Sequence, residues 1–339
     1  MSETELKALI QKVSTRATLE RDEIQLALNI MMSGLATQAQ MGAFLMALRV
    51  RGETVEEITG AAELLRERMT GVDTPVGAID IVGTGGDGHG TYNISTCSAL
   101  VAAGAGAKVA KHGNRSVSSR SGASDVLAAL GVKTDLGPAQ VARCIAEAGV
   151  GFMWAPLHHS AMKHWAPVRA ELGIRTIFNV LGPICNPGRV KRQVVGVYAA
   201  DLVEPIARVL NNLGSVHVWV VHGHNGLDEL TTTGASKVAE LKNGSVRMFD
   251  VMPAQAGLPL AHLSDLLGGD AAENAAAILS VLGGQRGAFR DIVVLNTAAA
   301  LVVADKAENL LEGAELACTA IDSGAAKSAL ERLIAVSKA

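Results

Sequence analysis

The apolar run Ala78-Ile79-Asp80-Ile81-Val82 leads straight into Gly83-Thr84-Gly85-Gly86-Asp87-Gly88, and this junction constrains the fold more than any other stretch. A short apolar run closed by glycines reads as a buried strand. The period then alternates, predicting strands near 78–82, 108–111 and 150–154 between helices near 95–105, 124–130 and 138–148. Pro138 suits a first helical turn. Such alternation implies an α/β fold with a mainly parallel sheet and right-handed crossovers. Upstream, to about Met69, the pattern is helical. Thr37 with Gln40 and Thr54 with Glu57 have capping-box spacing, and Gly52 separates the two segments.

Downstream, 159–180 reads as helical, ending at Leu181-Gly182-Pro183, with an irregular stretch through Asn186-Pro187-Gly188. Strands resume at 193–198 and 217–222. A hairpin follows, 238–241 against 246–249, turning at Asn243-Gly244. The remainder is mainly helical. Its alanine-rich tract 271–277 simply suits a helix. The apolar stretch 292–304, interrupted by Asn296 and Thr297, is too short to span a bilayer and reads as a core helix.

With 339 residues, 49% of them hydrophobic and 19% charged, the chain can bury a large core, in two domains or one elaborated domain. A net charge of −3 gives no global attraction to nucleic acid or a membrane surface. Cys97, Cys144, Cys185 and Cys318 form no C-x-x-C pair, so neither a zinc site nor a disulfide framework is expected. The acidic N-terminus lacks a signal-peptide layout, and a cytoplasmic location is expected.

Three clusters carry chemistry. Backbone N–H groups of the glycine turn can crowd toward an anion, because glycine removes Cβ interference. Asn93-Ile94-Ser95-Thr96 then sets short polar side chains at a helix start, where free N–H groups and the dipole favour anions; alone, this is an ordinary N-cap. Thr91 can join the same cradle. Lys111-His112-Gly113-Asn114-Arg115-Ser116-Val117-Ser118-Ser119 packs two cations and several hydroxyls into one loop, an anion clamp or a solvated basic loop. These features together read as a pocket for a phosphorylated ligand. Gly226-Leu227-Asp228-Glu229 sets adjacent carboxylates after a strand, where they can share one site only from a loop. Such a pair suits magnesium held jointly with ligand phosphates, or a solvated loop.

Gly83, Gly85 and Gly88 also fit G-x-G-x-x-G. A dinucleotide site is nonetheless disfavoured: polar residues continue through Asn93 before the helix, and Lys108-Val109-Ala110-Lys111 stands where a ribose-binding acid is required. His158, His159, His164 and Arg169 lie on the next helical stretch. His159 and Arg169, ten apart, share a face if that helix is continuous, although Pro167 interrupts it. Arg169 can bind a substrate carboxylate or pair with Glu171.

In this order, these motifs resemble anthranilate phosphoribosyltransferases over nearly the whole chain. Also matching are Ser121-Gly122, Arg169 through Arg175-Thr176-Ile177-Phe178-Asn179, Leu181-Gly182-Pro183 and Asn186-Pro187. The resemblance implies a small helical domain (1–72, also recruiting about 172–185), hinged to a large α/β domain (73–339), and a homodimer formed through the helical domain. The implied reaction transfers the 5-phosphoribosyl group from phosphoribosyl diphosphate to the amine of anthranilate, in tryptophan biosynthesis. The implied cofactor is Mg2+, two ions per active site.

By resemblance, Gly83, Gly86, Asp87, Thr91, Asn93, Ile94, Ser95, Thr96 and Lys111 through Ser119 contact phosphoribosyl diphosphate. Ser95, Asp228 and Glu229 hold the metal. Gly83, Asn114 and Arg169 contact anthranilate, with His112, Pro156 and His159 along its access route. Ala123 stands where relatives often carry serine, and Ser160 replaces a common proline. Anthranilate's amine is unprotonated at neutral pH, so no general acid or base is identified. The departing diphosphate and the cation-like ribose carbon are what need stabilising. Two rivals share the fold: a pyrimidine nucleoside phosphorylase-like enzyme and a nonenzymatic nucleic-acid-binding relative. The paired acids and the complete Asn93–Thr96 motif speak against the first, the acidic balance against the second.

Overall fold

The computed structural model describes residues 3–115 and 120–339. Four helices, Glu3–Ser14, Arg21–Met32, Gln38–Arg51 and Val55–Arg68, open the chain. Both expected capping boxes form: Thr37 and Gln40 exchange side-chain to backbone hydrogen bonds, as do Thr54 and Glu57. Gly52, at φ +90°, closes the third helix in a conformation that disfavours side chains.

Seven strands follow: β1 (Ile79–Gly83), β2 (Val109–Gly113), β3 (Val150–Trp154), β4 (Arg192–Gly196), β5 (His217–Gly223), β6 (Ser236–Lys242) and β7 (Ser245–Val251). They form one sheet in the order β3-β2-β1-β4-β5-β6-β7, parallel from β3 to β5 and antiparallel at β6 and β7. The hairpin turns at Asn243 (φ +49°) and Gly244 (φ +84°), the positive-φ pair that matches strand twist. Strand order reverses between β1 and β4. In open α/β sheets, ligands bind outside the carboxyl ends of the strands at such a point.

Period-two alternation sorts the sheet's side chains into two cores. Val194, Trp219 and Val221 face a cluster containing helices Ile94–Gly104, Ala288–Val303 and Ala325–Lys338. Val195, Val218 and Val220 face a second cluster, shared with helix Val203–Asn212 and the N-terminal helices. Helix Ala288–Val303 is buried along nearly its whole length, as expected for 292–304.

Two expectations are corrected. The 159–180 segment is not one helix. After a short helix at Ala155–His158, it divides into a 3-10 turn Ser160–His164 and helices Ala166–Leu172 and Ile177–Ile184. Pro167 sits in a first turn, where its missing N–H costs nothing, and Gly173 ends that helix at φ +59°. Leu181-Gly182-Pro183 lies inside the last of these helices instead of ending it. Second, His112 and Gly113 continue β2 past the expected end at 111 and are not in a loop, because pairing with Met153 and Trp154 of β3 carries the strand to Gly113.

Candidate active site

The carboxyl ends of β1 and β4 are both glycine, and the reason is Asp228. A Cβ on Gly83 would lie 2.3 Å from Asp228 Oδ2, and one on Gly196 only 1.5 Å from the Asp228 carbonyl oxygen. The loop between β5 and β6 therefore inserts its acids between the two strand ends. Gly85 N–H, in a turn with φ +67° at Gly85 and +70° at Gly86, donates to Asp228 Oδ2 at 2.6 Å. The acid loop thus fills the space that a side chain at Gly83 would take.

Asp228 and Glu229 are buried, not solvated loop acids. Burial, with the Asp87 carboxylate beside it, pushes Asp228 up to about 7 against the Gly85 N–H bond. Burial and then the Asp228 charge push Glu229 up to about 8, opposed by Lys111 and the Ser95 backbone N–H. Three carboxylates thus crowd one place. Lys111 answers them from β2: its Nζ donates to Ile81 O at 2.7 Å and to Ser95 Oγ at 3.3 Å. Burial lowers its pKa, while Asp80, Glu229 and Asp228 oppose that. It is a counter-charge inside the site more than a mobile clamp.

These groups fit a divalent cation. Among the described residues, no three His, Cys, Asp or Glu side chains form a self-contained metal cage. Two buried acids short of positive charge match magnesium, which typically takes one or two carboxylates together with substrate phosphates.

Helix Ile94–Gly104 begins beside this node. Asn93 makes no side-chain cap bond, so the ordinary-cap reading does not hold. Its Nδ2 donates to Ser121 O at 3.3 Å. Ile94 and Thr96 are buried, and Thr96 Oγ1 has no partner among the described residues. Thr91 pairs as an isolated antiparallel bridge with Leu267. Asp87 Oδ1 accepts from His89 N–H at 3.1 Å.

His112 is buried on β2, its Nδ1 at 3.1 Å from Gly182 O. A carbonyl only accepts, so Nδ1 carries the proton. Burial, then His159 and His158, holds the ring's pKa well below its ordinary value, and Nε2 is left without a partner among the described residues. The His159 ring lies 5.2 Å away, pushed down to about 4 chiefly by burial. Arg169, with its guanidinium 5.5 Å over the Phe178 ring, makes no ion pair among the described residues, with Glu171 or any other acid. Pro156 and Asn114 are exposed. Arg115 is exposed too, resting 5.0 Å over Trp154 and 4.0 Å from Asp125. Ser116, Val117, Ser118 and Ser119 lie outside the described residues.

Sequence reasoning missed a buried support beneath these groups. Asp80, fully buried on β1, accepts from His112 N–H at 3.2 Å and from Asn186 Nδ2 at 2.6 Å. Burial pushes it up to about 6 despite Lys111. A lone acid inside an apolar strand run was the signal. Arg175, stacked 4.2 Å over Tyr198, also donates to Gly86 O.

A glycine turn, a helix start and buried acids at the sheet's switch point, beside a helical bundle, define a two-part glycosyl transferase. Residues 76–327 match the glycosyl transferase family a/b domain, and 7–69 its helical bundle domain. Anthranilate phosphoribosyltransferase of Parvibaculum lavamentivorans is 61% identical over 98% of this chain and 97% of its own. That of Rhodopseudomonas palustris is 59% identical over 99% of each. The Thermus thermophilus enzyme's crystal structure superposes with a TM-score of 0.92 at 41% identity, covering 98% of this chain and 99% of that one. The Saccharomyces cerevisiae enzyme in complex with PRPP and Mg gives 0.91 at 31% identity, covering 99% of each. The chain belongs to the anthranilate phosphoribosyltransferase family.

Proposed function

We propose that the site described above binds phosphoribosyl diphosphate and anthranilate and transfers the 5-phosphoribosyl group to the anthranilate amine, releasing diphosphate in tryptophan biosynthesis. The observation that carries this reading is the buried Asp228–Glu229 pair at the switch point, where acids and phosphates can share a site only through a cation. The Saccharomyces cerevisiae relative's complex with PRPP and Mg supports it. Asp228, Glu229 and Ser95 would hold Mg2+, two ions per site in the finer form of the reading. Bound there, Mg2+ supplies charge neutralisation for the departing diphosphate.

The chain's own groups supply the rest. Gly83, Gly86, Asp87, Thr91 and Asn93 through Thr96 line the phosphate end, where N–H groups of the turn and helix start orient the anion. Lys111 balances the acids. Arg169, desolvated and without an acid partner among the described residues, is suited to the anthranilate carboxylate. Asn114 joins it there. Neutral His112 offers Nε2 as an acceptor toward the access route, with His159 and Pro156 alongside. The helical bundle (1–72, with 172–185) moves against the α/β part (73–339) and pairs with a second copy to form the homodimer. The four cysteines, all free, favour a cytoplasmic location. No described helix is long and apolar enough to cross a membrane.

The test follows loss of anthranilate fluorescence with phosphoribosyl diphosphate and Mg2+, in parallel with release of thymine from thymidine and phosphate. Turnover is expected only in the first. Arg169→Ala should raise the anthranilate KM tenfold to a hundredfold, that is by about 1.5–3 kcal/mol, while sparing phosphoribosyl diphosphate. Equal weakening of both substrates would assign Arg169 to the hinge instead.

A further inference from the structure

The alanine-rich tract at 271–277 carries one buried polar side chain that its composition hides. Asn274 sits in the second turn of helix Ala271–Leu282 and is only 2% exposed. Its amide is used at both ends: Oδ1 accepts from Gly269 N–H at 2.8 Å, and Nδ2 donates to Asn93 Oδ1 at 2.9 Å. Because Asn93 Nδ2 donates to Ser121 O, the Asn93 amide is held in one orientation. Asn274 is why that side chain does not turn back to cap its own helix.

The segment leading to Asn274 braces the same loop. Tyr92 N–H donates to Leu266 O at 3.0 Å, Gly268 N–H donates to Gly90 O at 2.9 Å, and Thr91 bridges Leu267 between them. The approach is close enough to exclude a side chain at Gly268, where a Cβ would lie 2.7 Å from Asn274 Oδ1 and 2.9 Å from Thr91 O. The loop itself is entered through glycines in the left-handed region, Gly88 at φ +82° and Gly90 at +65°, so it has little stiffness of its own. Asn274 and its lead segment supply that stiffness from outside.

We propose that Asn274 is a positioning residue for the phosphorylated substrate: through its bond to Asn93 it fixes the loop that presents Thr91, Asn93 and the helix start to the diphosphate. This rests on the reading that residues 91–96 receive phosphoribosyl diphosphate. Asn274→Asp isolates the contact, since it keeps an oxygen for Gly269 N–H while replacing the donor to Asn93 with a second acceptor. Asn274→Ala removes both bonds at the cost of a small cavity. Steady-state kinetics with both substrates are measured for each variant, for Asn93→Ala, and for the Asn93→Ala, Asn274→Ala pair.

The expected result is a phosphoribosyl diphosphate KM raised about tenfold in each single variant, with the anthranilate KM within about twofold. The double variant should be no worse than the poorer single one, because both act through one contact. Asn274 variants with an unchanged phosphoribosyl diphosphate KM, beside an Asn93→Ala that raises it, would overturn the positioning role and leave the functional reading intact. Additive effects, or equal rises in both KM values, would likewise reduce Asn274 to fold support. An Asn93→Ala enzyme with unchanged kinetics would instead remove the loop from the diphosphate site, and this proposal with it.

Discussion

At Asp228 and Glu229, residue chemistry decides between a solvated loop and a metal site. The spacing already said that the two acids could serve one site only outside a strand, and they lie between β5 and β6. What spacing could not give is their burial, which depends on glycines at Gly83 and Gly196, far away in sequence. Buried carboxylates beside Asp87 repel one another and the phosphates they face unless a cation intervenes. Asp228→Asn with Glu229→Gln keeps the acceptor for Gly85 N–H and the packing volume while removing both charges. The unliganded double variant should therefore melt at or above the wild-type temperature. Its kcat/KM should fall by at least about a hundredfold, and the thermal shift caused by Mg2+ with phosphoribosyl diphosphate should disappear. A variant that keeps wild-type turnover and that shift would sink the assignment.

Elements were legible wherever the determining contacts are local. Both capping boxes, helix Pro138–Ala148 and the Asn243-Gly244 hairpin turn follow from side chains within a few residues of the backbone they satisfy. Legibility failed where a distant partner decides. β2 runs on past Lys111 through His112 and Gly113 because β3 supplies its ladder, although a polar side chain followed by glycine there looks like the start of a loop. Asn93 reads as a cap until Asn274, 181 residues away, claims its amide. The segment before Gly182 is a different case: it reads as helical overall, yet the local signals Pro167 and Gly173 divide it. Long-range packing also governs the end of β4. Gly196→Ala places a methyl inside van der Waals contact of the Asp228 carbonyl, so the acid loop must move. Overpacking of this kind costs about 1–3 kcal/mol, and the expected signature is a lower melting temperature with a disproportionate loss of kcat/KM. A folded Gly196→Ala enzyme of wild-type activity would show that the acid loop tolerates displacement.

Across the whole molecule, the sheet's amino-terminal side is tied together by charge, well away from the carboxyl ends that carry the site. Glu240 on β6 accepts from Trp219 Nε1 at 3.0 Å, lies 3.0 Å from His217 Nε2 on β5, and is met by Arg247 of β7 at 2.9 Å. His217 Nδ1 faces Asp305 at 3.4 Å, and Asp305 in turn pairs with Arg192 of β4. Arg192 also donates to Val303 O at 2.6 Å. One network therefore spans β4 through β7 and the end of helix Ala288–Val303, fastening the antiparallel edge to the parallel sheet. The His217 contact, and then Trp219 and Arg247, hold the Glu240 carboxyl down to about 2 from 4.5 against partial burial. A carboxylate depressed on folding contributes stability that is complete above its unfolded value and is lost as pH falls through its folded one. Wild type and Glu240→Gln should thus differ by a constant amount above about pH 5, on the order of 1–3 kcal/mol once solvent screening is allowed for. Between about pH 4.5 and 2 that difference should vanish. Denaturant unfolding at a series of pH values measures it, and a difference that persists at pH 2 would mean that Glu240 acts through packing and not through its charge.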